Sequence, residues 1–125
     1  MLLFRKIATT ASTLPFIRFH LTEELHTQAL DAAKAIAAEA KPTEYSQALA
    51  DLIVELTQHG FDFYFSEPLR QAEAGFVINK TADVGLSATL KMMAPVIRNV
   101  IGKLDDEQLR TICVFMQQIM APEIK

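Results

Sequence analysis

The sequence predicts an all-α protein, a compact bundle of four to six helices built around a kinked central helix near Pro95. Three observations lead there. Apolar residues recur at helical rather than strand spacing along most of the chain. Four glycines in 125 residues are too few for a turn-rich β fold. Half of the residues are apolar and 22% are charged, which supports a packed core rather than a disordered chain. At this length a single helical domain over 1–125 is expected, burying roughly two-thirds of its unfolded surface.

Residues 1–20, MLLFRKIATTASTLPFIRFH, are apolar, basic and free of acid. That composition is shared with organellar transit peptides. A secretory signal fits less well, because Arg5 and Lys6 interrupt the apolar run. If the segment is retained, Leu2, Phe4, Ile7, Phe16 and Phe19 need a surface, either the bundle itself or a partner subunit.

Thr22 is placed to cap a helix from Glu23 to about Lys41, with Glu23 and Glu24 at its positive end. Leu25, Ala29, Ala32, Ile36 and Ala40 form its stripe, flanked by Leu30, Ala33 and Ala37. Lys41-Pro42 stops it. Thr43 opens a second helix, Glu44 to Gln58, with Tyr45, Leu49, Leu52, Ile53 and Leu56 inward. His59-Gly60 has the form of a helix C-terminus. The alternating run Phe61–Phe65 has no convincing partner strand, so helix or extended linker is expected there. Ser66 and Pro68 then open a helix reaching towards Lys80.

The longest periodic segment is Ala82–Leu104. At about 100° per residue, Leu86, Leu90, Met93, Ile97, Val100 and Leu104 share one arc, and Asp83, Ser87, Lys91 and Arg98 oppose it. Thr81 is the expected N-cap. Pro95 removes the donor that would reach the Lys91 carbonyl, so the expectation is a bent helix or two helices meeting near Ala94. Lys91 and Arg98 argue against a membrane span. The last helix starts at Asp105, with Gln108 reaching back and Leu104 stapled on Leu109. It runs to about Met120 with Leu109, Ile112, Cys113, Met116, Ile119 and Met120 inward, and Ala121-Pro122 ends it. Val114 and Phe115 lie off that stripe.

A net charge of −3 gives no general attraction to nucleic acid. The charge is unevenly spread: +3 over 1–22, −7 over 23–79 and +1 over 80–125. An acidic middle between basic ends suits docking within the chain or between subunits. The single cysteine, Cys113, allows no internal disulfide and fits a reducing, cytoplasmic setting. Its apolar neighbours mark a buried thiol. No G-x-S-x-G, P-loop or G-x-G-x-x-G pattern occurs. Glu23-x-x-His26 has the spacing of a di-iron element, but such sites need two copies and further carboxylates.

The reading is therefore a non-enzymatic interaction or assembly module, homodimeric, with no catalytic residue, no metal and no cofactor. A second reading is a small apolar ligand such as a fatty acid. Met92, Met93, Met116 and Met120 would line an adaptable pocket, and Lys91 or Arg98 would meet the head group. A third is a metal-dependent enzyme on the Asp51/Glu55/His59 face, with Asp62 as the nearest further ligand.

Overall fold

The computed structural model describes residues 20–120. The segment 1–19 and the Ala121-Pro122 stop lie outside the described residues. The protein is all-α. Among the described residues there are four long helices and one short one: α1 (Glu23–Ala38), α2 (Ser46–Phe61), α3 (Glu67–Gln71), α4 (Phe76–Gly102) and α5 (Asp106–Ile119). A 3-10 turn, Pro42–Tyr45, leads into α2, and a π-helical turn, Asp62–Ser66, joins α2 to α3. The helices group into two compact units, one holding α1 and α5 and the other spanning Thr43–Asp105.

In the first unit α1 packs on α5. The Thr22 hydroxyl accepts from the Leu25 amide at 3.1 Å, so the cap read from sequence is in place. Leu25, Ala29, Ala33 and Ile36 are buried, facing a helix that buries Leu109, Cys113 and Met116. Ala33, expected on the flank, takes the centre of the stripe. Ala32 is half-buried, and Ala40 falls beyond the helix end and is exposed. The small side chains of Ala29 and Ala33 let the two backbones approach closely. Arg110 fixes their direction. Its guanidinium donates to the Glu39 and Ala40 carbonyls at 3.0 and 3.1 Å, just past the end of α1, and pairs with Glu107. A cation there satisfies orphan carbonyls and complements the negative helix end. The start of α5 thus lies at the end of α1, and the two run antiparallel. Burial raises the Cys113 thiol pKa, as expected of an apolar site.

In the second unit α2 packs on α4. Arg98 meets Asp51 at 2.9 Å, and Gln47 lies beside Gly102, so these helices are also antiparallel. Leu49, Ala50, Leu52, Ala82, Ala94 and Ile101 are the buried apolar residues. Helix α4 is one continuous element through Pro95, so of the two expected forms the single helix is realised. It begins at Phe76 rather than after Thr81. The Thr81 hydroxyl, expected to cap, instead donates to the Val77 carbonyl at 2.9 Å within the helix.

The stretch from His59 to Gly75 departs most from the sequence expectation. Gly60 does not end α2. The helix passes through it, widens into the π turn, where the Glu67 amide bonds the Asp62 carbonyl, and continues as α3. The helix expected from Ser66 to Lys80 is broken at 72–75. There the Ala74 amide bonds the Leu69 carbonyl and the Glu73 amide bonds the Arg70 carbonyl, both at 3.1 Å. That pair of bonds is a Schellman motif, and it places Glu73 in the left-handed region with φ of 53°. Gly75 follows with φ of 97°, which a Cβ disfavours.

Glycine is the residue that suits the position Glu73 occupies. Glu73→Gly should therefore raise stability by about 1 kcal/mol in denaturant unfolding, since left-handed backbone costs an L-residue roughly 1–2 kcal/mol and glycine's extra unfolded entropy returns part of it.

Candidate functional site

The residues marked by sequence for a ligand fall in both units. Lys91, Met92, Met93 and Arg98 lie on α4, whereas Met116 lies on α5 and Met120 just past its end, both in the other unit. Met92 is 77% exposed, while Met93, one residue on, is half-buried. Met116 is buried in the α1–α5 core and Met120 is half-buried. Arg98 is held by Asp51, a carboxylate with which any anionic head group would compete.

Asp51, Glu55 and His59 share one side of α2 at i, i+4 and i+8. Asp51 pairs with Arg98, and Glu55 is exposed. His59 turns towards a different set of neighbours, described below. Among the described residues, no group of three or more His, Cys, Asp or Glu side chains is arranged to hold a metal ion, and Glu23 and His26 belong to no such group.

Two features of the second unit stand out. The first is the outward face of α4. Val77, Val84, Met92 and Val96 lie on one arc of the helix and are each more than half exposed. Ala88 and Pro95 share this arc and are exposed too. At the helix start Phe76 is 80% exposed, with Ile78 beside it. Lys80, Lys91 and Arg98 edge this arc on one side, and the sole acid of the helix, Asp83, lies on the flank turned away from it. Isolated exposed apolar residues are ordinary, but a run along a 27-residue helix is a surface that favours being covered. Sequence reasoning found the inward arc and the basic residues. It missed that the opposite arc is also apolar, because Met92 reads as a pocket residue and Val77 falls in the separate helix expected from Ser66 towards Lys80.

The second feature is a cleft of about 340 Å³ between the end of α2, the π turn and α4. Gln58, His59, Phe61, Asp62 and Ser66 form one wall, and Asp83, Leu86, Ser87 and Leu90 form the other. The α4 wall is a helical stripe spaced i, i+3, i+4, i+7. On the other wall, residues 58, 62 and 66 stay on one side because the π turn absorbs an extra residue. Arg70 stands behind Asp62, donating to its Oδ2 at 3.0 Å and to Glu67 at 2.7 Å. Its hydrogen bond is the main reason that the Glu67 carboxyl lies below its ordinary range. Among the described residues, no helix is long and apolar enough to cross a membrane. Compared with known proteins, the chain matches no family model, no curated protein and no solved structure.

Proposed function

We propose that this protein is a non-enzymatic assembly module that pairs with a second copy of itself through the outward face of α4. The observation that supports this most is the exposed arc of Val77, Val84, Met92 and Val96. Charge points to a second copy as the occupant. The arc is edged by cations, and the chain's own stretch from Glu23 to Glu73 carries ten acids against three bases. In a two-fold pair, the basic edge of each copy can meet acidic surface of the other, twice over. A lone buried thiol at Cys113 is consistent with a reducing, cytoplasmic setting for this pairing.

Light scattering coupled to size exclusion at micromolar concentration tests the reading, with a dimer mass expected. Met92→Glu places an anion in the middle of the apolar arc and should give a monomer. Its helical content should be unchanged and its stability within about 0.5 kcal/mol of a monomeric reference, because the side chain is mostly in solvent. A strictly monomeric wild-type chain overturns the pairing, and a variant that remains dimeric moves it away from α4.

A further inference from the structure

The cleft between the π turn and α4 lies on a different side of α4 from the proposed pairing face and has chemistry of its own. Ser66 is the one buried polar residue among those described, at 4% exposure, and it lines this cleft. No hydrogen bond to its hydroxyl forms among the described residues, and the hydroxyl is not sealed from solvent. A buried hydroxyl normally finds a partner, so one that opens into a cleft is suited to a ligand.

The lining fixes the sign of that ligand. Asp62 and Asp83 come from opposite walls, and no Lys or Arg lines the cleft. Arg70 takes only Oδ2 of Asp62. Ser66, Ser87 and Gln58 add hydrogen-bonding groups, and Phe61, Leu86 and Leu90 supply an apolar wall. A metal ion is disfavoured, since the carboxylates and His59 form no coordinating group. The volume is at the small end of ligand sites. We infer that this cleft binds a small organic cation, an amine carrying a short apolar body. Its ammonium group donates to Asp62, Asp83 and the Ser66 hydroxyl, and its body lies on Phe61, Leu86 and Leu90.

Phenethylamine is a suitable probe, with 2-phenylethanol and 3-phenylpropionate as its neutral and anionic counterparts. Titrated into the full-length, isotope-labelled chain, the amine should shift the amide resonances of residues 58–66 and 83–90 saturably, at millimolar concentration or below. The alcohol and the acid should bind at least about tenfold more weakly, as loss of a charge-assisted contact implies. Asp83→Asn should weaken the amine by about tenfold, and Ser66→Ala by a few-fold. Asp83 is exposed, and Ser66→Ala removes one oxygen, so both variants should keep the fold. Met92→Glu should bind the amine as the wild type does, which separates this inference from the pairing. No saturable shifts at the cleft, equal affinity for alcohol and amine, or an Asp83→Asn variant that binds like wild type would each overturn it.

Discussion

Leu49→Ala should lower the unfolding free energy by about 2–5 kcal/mol, a large share of the roughly 5–15 kcal/mol of an ordinary domain. Leu49 is fully buried on α2, in the layer formed with Leu52, Ala82, Ala94 and Ile101. Two of the three buried residues that α4 contributes are alanines, already small, so the void left by three carbons has little to fill it. The cost is the lost transfer free energy plus the cavity, and the cavity share grows with what fails to collapse. Urea unfolding followed by far-ultraviolet circular dichroism measures the change. Tyr45 and Tyr64 are the two tyrosines of the chain and both lie in the second unit. Tyrosine fluorescence therefore reports that unit, while the far-ultraviolet signal sums over both. Coincident transitions mean that the two units melt together, and separated ones mean that Leu49 governs only its own unit. A loss below about 1 kcal/mol would show that α2 and α4 can close over the gap.

Pro95→Ala should act in the opposite direction and stabilise by about 2–3 kcal/mol. Proline inside a helix lacks the donor for the carbonyl four residues back and crowds it, at about 3 kcal/mol relative to alanine. Pro95 sits inside α4 with seven helical residues after it, and it lies on the exposed side, so alanine meets no neighbour there. Thermal and denaturant unfolding of the variant are the measurements. A variant that is neutral or less stable would mean that the helix shape set by proline is required by the packing of Ala94, Ile97 and Ile101. The same variant bears on assembly. If the outward arc pairs only in the shape Pro95 imposes, Pro95→Ala gains stability and loses the dimer together.

What the sequence revealed follows from how local each signal is. Thr22 caps α1 because its own hydroxyl reaches its own helix, whereas α1 ends at Ala38, three residues ahead of the expected Lys41-Pro42 stop. The start of α5 was legible from a run of acids. The stretch 59–75 was not. His59-Gly60 has the residues of a C-cap, yet the helix continues because Phe61 and Phe63 are half-buried and Ser66 is buried further along it. The true end carries glutamate where glycine is usual, so Glu73 gave no warning. The candidate site divides along the same line. His59 and Asp62 were noticed together because they are neighbours on one helix. Asp83 joins them only through the antiparallel pairing of α2 with α4, which spacing within one segment does not report. The outward arc of α4 was hidden for another reason: helical periodicity identifies apolar faces but does not say which of two faces is covered.

The pairing of α1 with α5 has a consequence for how the protein reaches its native state. These helices are separated by the whole of Thr43–Asp105, yet Arg110 holds the carbonyls of Glu39 and Ala40. Joining them from an unfolded chain means closing a long loop before any contact is made, whereas α2 and α4 are separated by a short one. The order that follows is the antiparallel α2–α4 pair first, with the α1–α5 seam closing last. Leu49→Ala should then slow refolding, and Leu109→Ala should chiefly accelerate unfolding. A nascent chain would hold α1 with its Leu25 and Ile36 stripe uncovered until the last helix had emerged, which makes the amino-terminal helix the part of this protein most in need of protection during synthesis.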